Sequence, residues 1–304
     1  MRQMLVIITL LVGLLLAGCT GEDQVPQTGG AFIGGTTGLE ASFEQFSVKE
    51  EGVYSIFDTE DFPIDIALKN KGEETLTPGQ VTLRLLGPSK EDFVNIVPAT
   101  WQTTNVEEID KISEFNPTGG EEIVSFTPDT RAQYNGKVTG FTDINWNLEY
   151  WYDYKTHVIV NDVCFKGDIT DDKICNVKGT RTFSVSAAPI TIKSVEEDTS
   201  GKGIIMLRFQ VENAGTGKST TTGGEFDTRF DQIAFSIDEP EKWECKSGGR
   251  ENEGRLIDGK ADITCRSKQP LLEEDLYTRS VRLTLDYTYK NLVQEKLRIK
   301  ESVK

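Results

Sequence analysis

The sequence contains a single histidine, His157, among 304 residues. This scarcity excludes a metal site built from several histidines and shortens the list of possible acid–base enzymes. Neither a G-x-S-x-G nucleophile elbow nor an H-E-x-x-H zinc motif occurs. Acidic residues are abundant, but nothing singles out the carboxylate pair that a glycosidase requires. We therefore expect a protein that is not an enzyme and that uses neither a cofactor nor a metal ion.

Basic residues are also few relative to acidic ones. The chain has 33 Lys and Arg against 49 Asp and Glu, which gives a formal net charge of −16. A surface this acidic repels phosphate backbones, so a nucleic-acid partner is not expected. The apolar content of 37% and the charged content of 27% are ordinary for a folded soluble protein. They exclude a collagen, a coiled coil and a wholly disordered chain.

The apolar run near the start, Met4–Leu16, is interrupted only by Thr9 and Gly13. It is too short to span about 30 Å of hydrocarbon comfortably as a helix, but it has the length of a signal-peptide core. The Leu-Ala-Gly-Cys sequence that follows resembles the prokaryotic lipobox. This resemblance implies that residues 1–18 are a lipoprotein signal peptide and that the thiol of Cys19 carries lipid. The alternative is an ordinary secretory signal with an incidental cysteine.

A segment rich in Gly, Thr and small polar residues follows the proposed cleavage site. Its low apolar content predicts a flexible tether over residues 19–37. The tether would hold the first folded domain at some distance from the membrane. We therefore expect an extracytoplasmic protein at the cell surface, attached to the cell membrane by a lipid anchor.

Four cysteines remain once Cys19 is set aside: Cys164, Cys175, Cys245 and Cys265. An even number in an exported chain indicates disulfides. Three connectivities are possible, and local pairing, first with second and third with fourth, is favoured. The alternative is a four-cysteine zinc site, but the chain lacks the C-x-x-C knuckles in which zinc ligands usually occur.

Short alternating patterns, which are typical of half-buried strands, dominate the rest of the chain. The even positions are apolar in Ile64–Leu68, and the odd positions are apolar in Leu207–Val211. Each strand ends in an Asn-x-Gly turn, at Asn70 and Asn213 respectively. Asn and Gly tolerate positive φ, so this ending is a turn signal with a physical basis.

Further similarities join the two parts of the chain. Leu148–Lys155 and Leu283–Lys290 share the pattern L-x-[YL]-x-Y-x-Y-K, with one apolar or aromatic face and one mostly polar face. A third similarity links Gly119–Phe126 with Gly259–Cys265. Because the three features recur in the same order, the sequence predicts two copies of one β unit.

The fold class that follows is all-β, with two tandem antiparallel β-sandwich domains after the tether. We expect the first domain over residues 38–187 and the second over residues 188–304. The first carries an insertion at about 87–117, and the second carries a polar loop at Thr216–Arg229.

The motifs described above resemble a known family. The strand that ends in Asn-x-Gly, the later Gly-Gly-Glu-Glu-Ile-Val-Ser-Phe strand and the closing aromatic strand resemble the immunoglobulin-like, CARDB-type domains of prokaryotic surface proteins. The opening Gly34–Glu40, which follows the lipobox, is similar to that of small archaeal surface lipoproteins. The resemblance covers most of residues 38–304. It implies an immunoglobulin-like fold and a surface location, and its motifs are not catalytic.

Two loops have compositions that suggest ligand sites. Asn213–Thr220 contains Gly-Lys-Ser, but Glu212 occupies the position at which a P-loop needs glycine, so we interpret the segment as an ordinary loop. Asp168–Asp172 is similar to the start of an EF-hand loop. The sixth and twelfth positions are Lys173 and Gly179, and we interpret it as a solvated hairpin tip. A looser surface calcium site stays open.

Three further side chains are candidate functional residues. His157 follows the first aromatic strand, and a turn or surface position without a catalytic role is favoured. Trp151 lies on the polar face of that strand, where a tryptophan contacts a sugar, a partner protein or the other domain. The alternative is that the insertion, with its own Trp101, covers it. Trp151 and Trp101 are therefore the candidate partner or sugar contacts.

These observations favour a non-catalytic role in binding, adhesion or envelope structure, with an envelope protein or a polysaccharide as partner. A second hypothesis is an accessory or ligand-binding subunit of a transporter, pilus or secretion complex. A third is a surface polysaccharide hydrolase, since two carboxylates suffice for that chemistry.

Overall fold

The computed structural model describes residues 31–168, 170 and 174–302. The predicted signal peptide, Cys19 and tether residues 20–30 lie outside the described residues. Within the described part of the chain, no helix has the length and apolarity needed to cross a membrane.

Strands make up most of the regular structure, and a short 3-10 helix spans Lys90–Asp92. In chain order the strands are β1 Leu39–Phe43, β2 Lys49–Glu50, β3 Val53–Phe57, β4 Asp61–Phe62, β5 Asp65–Asn70, β6 Val81–Gly87, β7 Phe93–Val94, β8 Gln102–Thr104, β9 Glu121–Ser125, β10 Ala132–Tyr134, β11 Phe141–Lys166, β12 Gly179–Thr180, β13 Phe183–Val185, β14 Ile190–Gly201, β15 Ile204–Asn213, β16 Lys218–Thr220, β17 Asp231–Ile237, β18 Trp243–Ser247, β19 Arg250–Glu251, β20 Glu253–Leu256, β21 Lys260–Ser267 and β22 Leu276–Lys300.

The strands form four sheets within the described residues. The largest has β2-β3-β22-β11-β6-β8 as its main path, and β13, β16, β17 and β20 extend it. The sheet β1-β5-β9 packs on one end of the large sheet, and β12-β14-β15-β21-β18-β19 packs on the other. A small sheet, β4-β10-β7, lies beside the first end. No α-helix occurs among the described residues. The predicted all-β class with antiparallel, sandwich-like layers is confirmed.

The two ends of the molecule share one long antiparallel ribbon. β11 and β22 pair from Phe141↔Lys300 to Lys166↔Leu276, with one irregularity between Val160 and Val163. A strand of this length spans roughly 85 Å at about 3.3 Å per residue. We call the sandwich around β1-β5-β9 the first half and the one around β14-β15-β21 the second half.

The ribbon and one short strand cross the division expected at residues 187 and 188. β12, at Gly179–Thr180, pairs with β14 in the second half. The last strand, β22, runs back into the first half, where it pairs in parallel with β3. Residues Ala31–Lys304 accordingly group as one compact unit. The expected division therefore does not coincide with a break in strand pairing, because each half is completed by a strand from across it.

The final residues of β22 complete the core of the first half. Leu297 pairs with Tyr54 of β3 on one side and with Ile144 of β11 on the other. Leu297 and Ile299 are both fully buried. Burial of a leucine or isoleucine contributes about 1.5–3 kcal/mol to stability, so this strand is an integral part of the first half.

The predicted repeat is visible as two equivalent hydrogen-bond clusters. In the first half, the Tyr154 hydroxyl donates to Asn70 Oδ1 (3.3 Å) and accepts from the Glu74 N–H (3.1 Å). Asn70 Oδ1 also accepts from the Gly72 N–H, and the Asn70 N–H donates to the Gly120 carbonyl. These bonds tie the strand end, its turn and the aromatic strand together.

The second half repeats each bond. The Tyr289 hydroxyl donates to Asn213 Oδ1 (3.1 Å) and accepts from the Gly217 N–H (2.8 Å). The Gly215 N–H donates to Asn213 Oδ1, and the Asn213 N–H donates to the Gly259 carbonyl. The features that correspond in the sequence are therefore equivalent in space. They are the Asn-x-Gly turns, the strands that begin after a glycine and the tyrosines.

Pairing within the ribbon relates the two copies by a local two-fold axis. Tyr152 lies opposite Tyr289, and Tyr154 lies opposite Tyr287. Because Tyr152 and Tyr154 are the repeat counterparts of Tyr287 and Tyr289, exchanging the copies leaves this register unchanged. The axis therefore passes near the pair formed by Asp153 and Thr288.

Candidate functional site

The ribbon has a buried inner face and an outer face of different chemistry. On the inner face, burial raises the pKa of Tyr150 and Tyr289 to about 12 and raises those of Tyr152, Tyr154 and Tyr287 as well. Protonated, hydrogen-bonded phenols act as cross-links between layers and not as acids or bases at neutral pH. A part of the ribbon that meets a partner must therefore lie on its outer face.

Trp151 lies on that outer face, at the first-half side of the two-fold axis. It pairs with Thr82 of β6 on one side and with Lys290 of β22 on the other. The Arg84 guanidinium carbon lies 5.4 Å from the Trp151 ring centroid. Trp151 is partly exposed, so its ring is supported by a cation and still reaches solvent.

A carboxylate holds the two cations beside this ring. Glu149 forms ion pairs with Arg84 and, at 3.2 Å, with Lys290. Only 13% of the Glu149 side chain is exposed, so these pairs are shielded from solvent more than most surface pairs. Each charged group of this surface thus has a partner of opposite charge on an adjacent strand.

The second half also contributes to this surface. The polar loop expected at Thr216–Arg229 places the Phe226 ring 4.2 Å from Lys290 Nζ. We call the surface formed by Arg84, Glu149, Trp151, Phe226 and Lys290 the Trp151 face. It combines two aromatic rings with paired charges on a sheet surface, a combination that suits contact binding.

The repeat shows that this surface differs between the copies. The position equivalent to Trp151 in the second half is Asp286, which lies 3.8 Å from Lys155. Lys155 and Lys290 are themselves equivalent. Thus the inner tyrosines and the outer lysine recur, whereas the tryptophan occurs in one copy only.

The four remaining cysteines form the two local disulfides that the sequence favours. Cys164 pairs with Cys175 and Cys245 with Cys265, with Cα–Cα distances of 5.8 and 4.0 Å. The zinc-site alternative does not apply to these cysteines. The Cys164 N–H donates to both carboxylate oxygens of Glu197 on β14, and Cys245 lies opposite Cys265 on β18 and β21. Both disulfides therefore belong to the second half. Disulfides of this kind are typical of exported proteins.

The structure corrects the expectation for Trp101. Only 4% of this residue is exposed, and its ring stacks on Trp146 at 5.9 Å between centroids. The insertion at about 87–117 therefore adds an aromatic layer to the first-half core, and Trp101 has no free ring face for a sugar or a partner. Trp151 stays partly exposed, although β8 of the insertion pairs with β6 beside it.

His157 has ordinary structural contacts. Its Nε2 lies 3.3 Å from Glu74 Oε2, and its ring stacks beside Phe32 at 6.3 Å between centroids. The Ser186 hydroxyl accepts from the His157 backbone N–H and not from the ring. His157 therefore helps to hold the N-terminal segment.

Neither candidate ligand loop gains support. Lys218–Thr220 forms β16 and pairs with β22, so the Gly-Lys-Ser segment is a strand edge and not a phosphate loop. In the described residues, no three His, Cys, Asp or Glu side chains are grouped so as to hold a metal ion. The calcium prediction at Asp168–Asp172 falls largely on residues 169 and 171–173, which lie outside the described residues.

Sequence reasoning did not find the neighbours of Trp151. Arg84, Phe226 and Lys290 lie far from it in the chain and reach it only through β6, β22 and the second-half loop. One available signal was the difference between copies, since Trp151 aligns with Asp286 while the inner residues match.

Comparison with known proteins identifies no family. No protein-family model and no curated protein sequence matches this chain. Among solved structures, the chain has a weak similarity to the serine-rich repeat adhesion glycoprotein Srr1 of Streptococcus agalactiae. The two are 8% identical with a TM-score of 0.20, over 87% of this chain and 96% of that chain.

Proposed function

We propose that this chain is an exported protein, held at the cell membrane by a lipid on Cys19, which binds an envelope component without catalysis. The disulfides support an oxidising compartment, and the lipobox resemblance supports the anchor. The partner is an envelope polysaccharide or an envelope protein.

The N-terminal segment enters the folded body near the two-fold axis. The Glu73 carboxylate accepts the N–H groups of Ile33, Gly34 and Ala187, and the Tyr152 hydroxyl accepts the Leu39 N–H. The 14 residues from Cys19 to Ile33 reach at most roughly 50 Å when fully extended. A lipid on Cys19 would therefore hold the body by its middle and leave both ends of the ribbon accessible.

The observation that carries the binding role is the Trp151 face. An outward tryptophan that one copy has and the other lacks is not required by the repeated core. Tryptophan and arginine are also the residues that most often dominate binding interfaces. The absence of the sequence motifs of common hydrolases supports a role without catalysis.

The anchor is tested by fractionation of the natural host. We expect the wild-type chain in the membrane fraction and Cys19→Ala in the soluble exported fraction, because the signal peptide remains but the acylated sulfur is lost. A wild-type chain that stays in the cytosol, or a Cys19→Ala chain that stays with membranes, contradicts the anchor.

The binding role is tested by adding the unanchored Cys19→Ala chain to isolated envelopes and measuring co-sedimentation. We expect the further change Trp151→Ala to weaken retention by about tenfold, the usual cost of truncating a central tryptophan. Phe115→Ala is the matched control, because Phe115 is 98% exposed and is not part of the Trp151 face. Equal retention of both variants would exclude the Trp151 face.

A further inference from the structure

A groove in the second half has no role in the function proposed above. It has a volume of about 620 Å³ and follows strand β21 near Ala261 and Asp262. The turn at Ile257 and the hairpin tip at Gly248 form its rim. Ile257 is 67% exposed, so the groove, which is of ligand-binding size, has an accessible apolar side chain at its rim.

The groove carries more positive than negative side chains in a strongly acidic chain. Three cations line it, Lys193, Arg255 and Lys260, together with two carboxylates, Glu212 and Asp262. Lys193 pairs with Glu212 at 3.0 Å, whereas the described residues contain no ion-pair partner for Arg255 or Lys260. The Arg255 guanidinium carbon lies 4.2 Å from the Phe230 ring centroid, so this side chain is supported by a ring and not by a carboxylate. In a protein of net charge −16, two cations without carboxylate partners beside an exposed isoleucine favour an anionic ligand with an apolar group.

The internal repeat identifies the same location in the first half. In the strand register, Lys69 lies opposite Glu121 there, as Glu212 lies opposite Lys260 in the second half. By this register, Glu122 is equivalent to Ala261. The hydrogen bonds of the two asparagine clusters likewise make Gly120 equivalent to Gly259.

In the first half this location is occupied by the chain itself. The Gly120 N–H donates to the Asp110 carbonyl at 2.8 Å, and the Glu122 carboxylate accepts the Val106 N–H at 2.8 Å. The Asn70 amide also donates to the Ile109 carbonyl (3.3 Å). In the second half the Asp231 carboxylate fills the equivalent point, since it accepts from the Asn213 amide (3.4 Å) and from the Ser219 N–H (2.7 Å). The part of this location that borders the groove is therefore the part beside Ala261.

The occupying segment, residues 105–112, has the sequence Asn-Val-Glu-Glu-Ile-Asp-Lys-Ile. It carries three acidic residues and one lysine. Ile109 is fully buried, and Ile112 is 8% exposed. Its chemistry is that of an acidic peptide with apolar residues that bury against the sandwich edge.

We propose that the groove of the second half binds an extended acidic segment of a partner protein beside Ala261, the position whose first-half equivalent, Glu122, is covered by residues 105–112. Arg255 and Lys260 pair with its carboxylates, and the area around Ile257 and Ala261 covers an aliphatic side chain. The proposal is independent of the Trp151 face and of the lipid anchor.

The test uses the unanchored full chain and a fluorescent peptide with the sequence of residues 104–113. We expect saturable binding by fluorescence anisotropy that weakens as salt rises, because charge pairs at a rim are screened. A second peptide replaces Glu107, Glu108 and Asp110 by their amides. We expect it to bind at least about tenfold more weakly.

Variants of the groove separate it from other basic patches. Arg255→Ser combined with Lys260→Ser should weaken peptide binding by about tenfold, and Ile257→Ser should weaken it by several-fold. Lys137→Ser, an exposed cation change in the first half, is the matched control and should leave binding unchanged. Circular dichroism confirms that each variant is folded.

The outcomes decide the proposal. Binding that depends on the acidic residues and on the groove cations supports it. Equal binding of the acidic and amidated peptides, or equal binding by the groove variants and the wild type, overturns it. Polygalacturonate that binds the groove when the peptide does not would also overturn it, and would identify an anionic polysaccharide site instead. None of these results bears on retention through Trp151.

Discussion

The two halves share their central hydrogen bonds but are closed in different ways. The first half contains no cysteine in its opposed sheet β1-β5-β9, and it is completed by residues 105–112 and by the end of β22. The second half is closed by the disulfides Cys164–Cys175 and Cys245–Cys265 and keeps an open groove.

This difference shows which parts of the repeat the fold requires. The Asn–Gly–Tyr clusters recur because each satisfies buried backbone groups with a geometry that tolerates little change. The means of closing each half differ, because an added segment, a strand from the other half and a disulfide all stabilise a sandwich edge. Surfaces for partners are therefore expected where the copies differ.

The largest expected effect tests the shared ribbon with alkaline pH. An unfolded tyrosine ionises near pH 10, whereas burial raises the pKa of Tyr150 and Tyr289 to about 12 in the folded chain. The native state thus holds protons that the unfolded state releases above pH 10. The stabilisation is fully present below pH 10 and is lost as pH rises through 12.

We expect the free energy of unfolding, measured by urea titration, to fall by several kcal/mol between pH 10 and pH 12. Both halves should unfold together, because their buried tyrosines lie on the one ribbon that the halves share. Ionisation of all eight tyrosines near pH 10 while circular dichroism stays native would contradict the raised pKa values.

A second test removes the contribution of the terminal strand to the first half. Leu297→Ala should cost about 2–5 kcal/mol, because Leu297 is fully buried between β3 and β11. Leu292→Ala is the control on the same strand and should change stability by less than about 0.5 kcal/mol, since Leu292 is 54% exposed.

Hydrogen exchange locates this effect. We expect Leu297→Ala to reduce protection in β1, β3 and β5 of the first half, although residue 297 is near the C-terminus. A loss confined to β14 and β15 would show that the terminal strand does not complete the first half.

A third test removes the disulfides separately. Each removal should cost about 3 kcal/mol in the chain-entropy model, and the Cys245–Cys265 bridge should cost slightly more because its loop is longer. Thermal unfolding of Cys164→Ser/Cys175→Ser and of Cys245→Ser/Cys265→Ser measures the costs. Protection from hydrogen exchange should fall first in the second half. An equal loss of protection in β5 and β9 would contradict the assignment of both bridges to that half.

A fourth test compares the two turn glycines. A Cβ on Gly72 would lie 2.0 Å from the Tyr154 hydroxyl and within 3 Å of two backbone oxygens. On Gly215 it would lie 2.3 Å from the Tyr289 hydroxyl but 3.0 Å from the nearest atom of Pro189. We expect Gly72→Ala to cost about 3 kcal/mol and Gly215→Ala about 1–2 kcal/mol.

Double variants show whether the tyrosine hydroxyl is the cause. Tyr289→Phe should recover part of the loss in Gly215→Ala, because it removes the clashing oxygen. Tyr154→Phe should recover less of the loss in Gly72→Ala, because the backbone oxygens remain. Chemical unfolding of the four single and two double variants provides the comparison, and additive costs in both pairs would contradict it.

The sequence predicts the parts of this fold that local patterns control. Alternation predicts β5, β15 and the inner face of the ribbon, and the Asn-x-Gly turns predict where strands end. These features depend on neighbours in the chain, such as Gly72 beside Asn70, or on a periodicity of two residues.

The ribbon itself was not predicted, because β11 and β22 pair across more than a hundred residues. The sequence does contain a signal. Alternation continues past Lys155 to Val158 and Val160, and after interruptions at Asn291 and Glu295 it resumes at Leu297 and Ile299. A pattern this long exceeds the usual strand of five or six residues and indicates a strand that serves both halves.

The smallest expected effects lie on the outer face, where the copies differ. Asp286→Asn removes an exposed pair with Lys155 at 3.8 Å and should change the free energy of unfolding by less than about 0.5 kcal/mol. Trp151→Ala should cost less than about 1 kcal/mol, because Trp151 is partly exposed and its ring lies beside the Arg84 guanidinium. Urea unfolding of both variants is the measurement. If the fold tolerates both changes, the tryptophan is present for a reason other than stability, as the proposed binding role requires. A cost above about 2 kcal/mol for Trp151→Ala would instead make this residue part of the sheet's own packing, and its occurrence in only one copy would then carry no implication for a partner.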